Sequence, residues 1–158
     1  MKLDVVKADV PWFAAGLHFE CTECGNCCSG GRGYVWLRDV EVDRLAAFLG
    51  ITPERFVQTY CRRVGHRLSL RELHKPDGNY DCIFLRTVVL PDGTQKRVCG
   101  AYEARPLQCR TFPFWDSILF DPDAWNQAAV RCPGINRGRK FSRRKIEALR
   151  DAEEWPAE

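Results

Sequence analysis

The stretch Cys21-Thr22-Glu23-Cys24-Gly25-Asn26-Cys27-Cys28 places four cysteines within eight residues. A gap of two residues is the short spacing at which two thiolates turn back onto one metal ion. Gly25 favours that turn, because glycine adopts positive φ without a steric penalty. Four more cysteines follow singly, at Cys82, Cys99, Cys109 and Cys132. The pattern predicts a metal site that draws ligands from distant parts of the chain.

A disulfide framework is the alternative interpretation of these cysteines. Thiols as crowded as Cys27 and Cys28 do not form several unstrained local bridges, because a disulfide requires a specific Cβ geometry. Asp4, Lys7 and Asp9 interrupt every apolar run at the N-terminus, which does not resemble a secretory signal. We therefore expect a reducing, cytoplasmic compartment, in which lasting disulfides are rare.

Length and charge set the class of protein. A chain of 158 residues with a formal net charge of +3 predicts one domain over 1–158, in which a bound metal contributes to stability. The mild positive charge does not indicate nucleic acid, so the expected partner is a protein or a small molecule that the sequence does not identify. No segment approaches the ~20 apolar residues that span a bilayer, and we expect no membrane contact.

Basic residues are concentrated near the C-terminus. The run consists of Arg131, Arg137, Arg139, Lys140, Arg143, Arg144 and Lys145, and acidic residues follow at Asp151, Glu153 and Glu154. A helix over 142–154 with solvated faces is the favoured interpretation of this run. A patch for nucleic acid or for an acidic protein is the alternative.

Two helices are predicted after the cysteine cluster, over 40–49 and 53–61. Asp39 is the expected cap of the first helix and Gly50 its end. Thr52 is the expected cap of the second, followed by a proline at the first helical position.

The pattern between 68 and 102 is typical of strands. Pro91-Asp92-Gly93 is a turn signal between apolar runs at 87–90 and 95–98, which predicts a β-hairpin. This hairpin would bring Cys82 and Cys99 to the same end. Prolines at 106, 113, 122 and 133 predict loops, with no long regular element before a final helix that begins at Ser142. The predicted fold class is α+β, with a small antiparallel sheet, about three helices and long cysteine-bearing loops organised around a metal site.

Five separated motifs resemble a known family. They are Phe19-x-Cys21-x-x-Cys24-Gly25-x-Cys27-Cys28, Asp81-Cys82, Cys99, Arg105-Pro106-x-x-Cys109-Arg110-x-Phe112-Pro113, and Cys132-Pro133-Gly134. In this order they resemble the CxxCxxCC cysteine-cluster family of zinc- or iron-chelating domains, over residues from about 19 to 138. The resemblance implies metal binding in a mostly bacterial, cytoplasmic setting and implies little about a reaction. A larger relative is an iron–sulfur-dependent flagellin lysine methylase, but this chain lacks its extra region, so that activity does not transfer.

The number of cysteines bears on the metal. Eight thiolates are the number that two four-cysteine sites require, whether tetrahedral zinc sites or four-iron clusters. The adjacent side chains of Cys27 and Cys28 are expected to diverge, which favours two sites or one polynuclear site. The spacing of the first three cysteines repeats the start of the bacterial ferredoxin run, and Cys132-Pro133 repeats its closing Cys-Pro. A zinc ribbon would supply a second C-x-x-C. The sequence therefore favours an iron–sulfur cluster, 4Fe–4S, over zinc.

Other titratable side chains are weaker candidates. Cys61 lies one turn after Val57 on the apolar face of the second predicted helix, and it has no counterpart in the family pattern, so we expect a core residue. His18, His66 and His74 are alternative ligands or bases. With eight cysteines present, a surface or supporting role is favoured for them.

Two arginines flank Cys109, and both interpretations of them stay open. Arg105 and Arg110 either form core ion pairs, for example with Glu103, or offset thiolate charge and bind an anionic substrate. The aromatic side chains are expected to be mostly core that excludes water from the site; they include Trp12, Trp36, Phe114, Trp115 and Trp125.

Three functions are compatible with these features. The favoured one is a metal-binding protein whose specific role the sequence does not identify. The first alternative is an iron–sulfur-dependent enzyme, although no nicotinamide fingerprint, radical C-x3-C-x2-C spacing or Ser-His-Asp constellation is visible. The second alternative is a thiol redox protein using Cys27-Cys28 or the Cys21-x-x-Cys24 pair, neither of which lies in a thioredoxin-like context.

Overall fold

The computed structural model of the chain describes residues 9–153. Its helices and strands, in chain order, are β1 (Leu17–Phe19), β2 (Ser29–Gly30), β3 (Trp36–Leu37), α1 (Asp39–Leu49), α2 (Pro53–Tyr60), β4 (Cys61–Val64), β5 (Arg67–Leu70), β6 (Glu72–His74), β7 (Tyr80–Cys82), β8 (Leu85–Val89), β9 (Gln95–Cys99), α3 (Leu107–Thr111), α4 (Asp116–Leu119), α5 (Pro122–Arg131), β10 (Ile135–Phe141) and α6 (Arg143–Arg150). Single 3-10 turns occupy Asn26–Cys28 and Tyr102–Ala104. The mixture of helices and small antiparallel sheets confirms the α+β class. Asp4, Lys7 and Glu154 lie outside the described residues.

The strands form small antiparallel sheets, of which two position cysteines. In the sheet β2-β7-β6, Ser29 pairs with Asp81, so the strand after the cysteine cluster lies beside the strand that ends at Cys82. In the hairpin β8-β9, Leu85 pairs with Cys99, which confirms the predicted hairpin. The remaining sheets are β3-β5-β4 and β1-β10.

Local capping explains the first two helices. Gly50 ends α1 with a left-handed φ of 69°, and Thr52 Oγ1 accepts a hydrogen bond from Arg55 N at the start of α2. The cap of α1 differs from the prediction, because Asp39 is already helical. Glu41 reaches back instead and accepts a hydrogen bond from Arg38 N at 2.8 Å.

The expectation that prolines exclude long elements before Ser142 is wrong. Helix α5 has 10 residues and strand β10 has 7. Pro122 begins α5 at a position where its missing N–H is not needed, and Asp121 Oδ1 caps the helix by accepting from Ala124 N. Helices α3, α4 and α5 therefore add to the three predicted helices, while the final helix begins after Ser142 as expected.

The buried residues form two hydrophobic cores. The first core is built on Leu45, Phe56 and their neighbours in α1, α2, β5 and the loops that follow. The second core is built on Phe114 and Trp125, with side chains from β1, β10 and α6. Burial of these two aromatics confirms the prediction that they are core residues.

Four of the cysteines contact the cores. Cys61 is 2% exposed within the first core, which confirms the predicted core role, although it begins strand β4 rather than ending helix α2. Cys82 and Cys99 pack against the same core, whereas Cys132 packs against the second. Cysteines predicted to share one centre therefore pack against both cores. No helix among residues 9–153 combines the length and the apolar character needed to cross a membrane.

Candidate metal centre

All eight predicted ligands line one cavity of about 310 Å³. They are Cys21, Cys24, Cys27, Cys28, Cys82, Cys99, Cys109 and Cys132. They reach the cavity from the segment 21–28, which we call the cluster loop, from the ends of β7 and β9, from α3 and from the residue that follows α5. We call this cavity the cysteine cavity. Cys61 does not line it.

Backbone N–H groups are aimed at four of the sulfur atoms. Asn26 N donates to Cys24 Sγ at 3.4 Å, from a residue two positions further along the chain. Three other cysteines also have a backbone hydrogen bond from the residue two positions further along the chain. The pairs are Phe84 with Cys82, Ala101 with Cys99, and Gly134 with Cys132. For Cys82, Cys99 and Cys132 this backbone hydrogen bond lowers the pKa, against the larger effect of burial, and so favours the thiolate, which is the form that binds a metal. Gly25, with φ of 76°, turns the chain so that Asn26 N can point at Cys24.

The adjacent cysteines of the cluster converge rather than diverge. The Sγ atoms of Cys27 and Cys28 lie 3.9 Å apart, which corrects the expectation drawn from the sequence. Two thiolates on one tetrahedral ion with bonds of about 2.3 Å would be about 3.8 Å apart. The hydrogen bond with Cys28 is the main influence that lowers the pKa of Cys27 to about 7, and it raises the pKa of Cys28. The two thiols therefore titrate as a coupled pair, in which a shared proton favours a single thiolate.

Burial acts in the opposite direction on the cysteines of the cavity wall. Burial raises the pKa of Cys82 to about 11, and it raises the pKa of Cys99 and Cys132. For Cys109, burial and the neighbouring thiolates of Cys82 and Cys27 both raise the pKa. These thiols are neutral near pH 7 when no cation is present, so a metal that binds them displaces protons.

Asn26 connects three of the cysteine-bearing segments. Its Nδ2 donates to Arg131 O at 2.8 Å, and Arg97 Nη2 donates to its Oδ1 at 2.8 Å. Arg131 Nη2 in turn donates to Ser29 O at 2.6 Å. A Cβ at Gly30 would lie only 2.5 Å from that nitrogen, so glycine admits the guanidinium. The cluster loop, the strand before Cys99 and the helix before Cys132 are thus held together by protein contacts.

These polar residues were not predicted as part of the site. Asn26 lies inside the cysteine cluster, Arg97 precedes Cys99 by two residues and Arg131 directly precedes Cys132. That proximity in sequence was the available signal. Arg131 instead looked like a member of a solvated basic run.

Replacing Asn26 with alanine is expected to destabilise the protein by about 2.5–4 kcal/mol and to weaken the proposed metal binding. The estimate counts one hydrogen bond of about 1 kcal/mol and one to a charged group of about 1.5–3 kcal/mol. Denaturant unfolding and metal titration measure the two effects. Asn126→Ala, at an exposed position of α5, is the matched control and should change stability by less than about 0.5 kcal/mol. Equal behaviour of the two variants would contradict the role of Asn26.

The three histidines named as alternative ligands do not line the cysteine cavity. They are His18, His66 and His74. His18 Nδ1 lies 2.9 Å from Gly138 O, and His74 stacks on Tyr80.

The two arginines beside Cys109 both line the cysteine cavity. Arg105 donates to Tyr102 O and lies 3.9 Å above the Tyr102 ring, so Tyr102 and not Glu103 holds it. Its charge lowers the pKa of Cys27, although less than the hydrogen bond with Cys28 does.

The cysteine thiols of the cavity suit a thiophilic metal, but their positions do not form an assembled metal site. Within residues 9–153, no three His, Cys, Asp or Glu side chains are placed so that they could hold a metal ion as they stand. The sulfur atoms are instead distributed around the cavity wall. Soft thiolate ligands select zinc, copper(I) and iron–sulfur clusters.

Comparison with known proteins agrees with this chemistry. A family model for CxxCxxCC, described as a putative zinc- or iron-chelating domain, matches residues 20–133. The matched range contains all eight cysteines of the cavity. No solved structure matches the chain.

Proposed function

Because the chain belongs to the CxxCxxCC family of zinc- or iron-chelating domains, we propose that it binds a metal centre through the eight cysteines of the cysteine cavity. The observation that carries the proposal is the convergence of thiols from five separate segments on one cavity. The backbone hydrogen bonds to Cys82, Cys99 and Cys132 support it, because they favour thiolates. A thiolate-held centre persists where thiols stay reduced, so the proposal includes a cytoplasmic location.

An iron–sulfur cluster of the 4Fe–4S type is the favoured occupant. The cavity has a volume of about 310 Å³, roughly ten times the ~30 Å³ share of one water molecule. This volume exceeds the space that a single metal ion in a closed site requires. Eight thiolates spread around such a wall are the number that two four-cysteine clusters require, or they could hold one larger polynuclear centre. When bound, the cluster would supply electron transfer, while the chain supplies the thiolates, their N–H donors and an apolar surround. Zinc is the alternative occupant, supported by the 3.9 Å separation of the Cys27 and Cys28 Sγ atoms.

The proposed role is metal binding without an assigned reaction. An iron–sulfur enzyme that transfers electrons or a group to a protein or small substrate is an alternative use of the same centre. A thiol redox role is a further candidate, which the pKa of about 7 at Cys27 supports, because a thiolate at neutral pH is reactive.

Metal analysis of anaerobically purified protein tests this proposal. We expect stoichiometric iron with acid-labile sulfide and a broad visible absorbance. Colourless protein with stoichiometric zinc would support metal binding and reject the cluster. Protein with neither metal, whose Cys27 reacts rapidly with a thiol reagent at pH 7, would reject metal binding in favour of the redox role.

A further inference from the structure

A second cavity, of about 650 Å³, adjoins the cysteine cavity. The two cavities share six lining residues, which are Phe19, Cys21, Tyr102, Arg105, Arg110 and Phe112. Strand β10 and helix α6 complete the second cavity with Arg139, Phe141 and other side chains. Its volume is within the range of small-molecule sites. We call it the basic cavity.

The charge of the basic cavity is strongly asymmetric. Its cationic lining residues are Arg105, Arg110, Arg139 and Lys145, and Glu20 is its acidic one. Arg139 and Lys145 form no ion pair with any of residues 9–153. The guanidinium of Arg139 and the ammonium of Lys145, which line one cavity without acidic partners among residues 9–153, favour an oxyanion, which Arg binds through paired hydrogen bonds.

Aromatic rings form the rest of the wall and fix the direction of the cations. Arg139 lies 4.5 Å from the ring centre of Phe141, and Arg105 lies 3.9 Å from that of Tyr102. These stacked guanidinium groups lose little conformational freedom when a ligand binds. Phe19 meets Phe112 edge to face at 6.4 Å, which adds an apolar surface beside Cys21. A ligand for this cavity therefore combines an oxyanion with a flat apolar body.

We propose that the basic cavity binds a small organic anion, a carboxylate or phosphate ester with an aromatic or apolar body, beside Cys21. This site is additional to the proposed metal function and does not require it. Because Cys21 lines both cavities, the bound anion would lie next to the cysteine cavity, where a substrate or a regulator of the centre would be placed.

Calorimetric titration of the full-length, anaerobically purified protein tests the site. The probes are phenyl phosphate and benzoate, which carry both features, inorganic phosphate, which lacks the ring, and phenol, which lacks the charge. We expect saturable 1:1 binding of phenyl phosphate or benzoate, about tenfold or more tighter than that of inorganic phosphate, and no binding of phenol. The tighter of the two organic probes identifies the oxyanion.

Charge reversal at matched positions locates the binding. Lys145→Glu and Arg139→Glu should weaken the tighter organic probe about tenfold or more, because each reverses a cation of the cavity wall. Arg144→Glu and Arg137→Glu make the same change in net charge outside the cavity and should weaken it less than about twofold. Equal weakening by both pairs, or binding of inorganic phosphate as tight as that of the organic probes, would overturn the proposal.

The metal content of the same samples separates this proposal from the proposed function. Anion binding by protein that contains no metal would support the basic cavity and contradict metal binding. Stoichiometric metal with no saturable binding of phenyl phosphate or benzoate would overturn the basic cavity alone. Thermal unfolding of each variant confirms that the chain is folded before titration.

Discussion

Removal of a bound metal is expected to lower the thermal unfolding temperature by about 10–20 °C, because the proposed centre would connect two hydrophobic cores. Cys82 and Cys99 pack on the first core and Cys132 on the second. Structural zinc sites contribute apparent binding energies of about 10–16 kcal/mol, against a typical domain stability of about 5–15 kcal/mol. A net contribution of about 5 kcal/mol already produces this shift, since each kcal/mol moves the midpoint by about 2–4 °C at this size.

Calorimetry before and after treatment with a chelator under reducing, anaerobic conditions measures the shift. Restoring the metal, or reconstituting the cluster with iron and sulfide, should return the original temperature, which controls for oxidative damage. The contacts of Asn26 with Arg97 and Arg131 should keep the cluster loop partly docked in the metal-free protein. An unchanged unfolding temperature after complete removal would show that the cores hold together without the centre.

The elements that sequence predicted well depend on local signals. Helix α2 begins at a Thr-Pro pair, and the hairpin β8-β9 turns at Pro91-Asp92-Gly93, so in both cases neighbouring residues determine the backbone. The convergence of the eight cysteines on one cavity was equally predictable, whereas their role as metal ligands stays a prediction. All eight reached the same cavity although no spacing fixed the position of Cys109 or Cys132.

The features that sequence missed depend on distant partners. Strand β10 pairs with β1, which joins residues as far apart as Leu17 and Phe141, and a loop-like run of glycine and arginine gives no sign of that pairing. The roles of the basic residues also depend on distant partners. Arg131 and Arg139 belong to one basic run in sequence, yet the first clamps the cluster loop and the second lines the basic cavity.

Cys109→Ala is expected to lose stoichiometric metal, whereas Cys61→Ala should keep it, although both changes delete the same sulfur atom. Cys109 lies near Cys82 and Cys27 in the cysteine cavity, so its loss would leave the proposed centre one ligand short. Cys61 is buried in the first core away from that cavity, and its loss should cost stability through packing alone. Metal analysis of both variants, each shown to unfold cooperatively, measures the difference. Full metal content in folded Cys109→Ala, or its loss from folded Cys61→Ala, would contradict the assignment, because only a ligand couples one sulfur atom to metal stoichiometry in an otherwise folded chain.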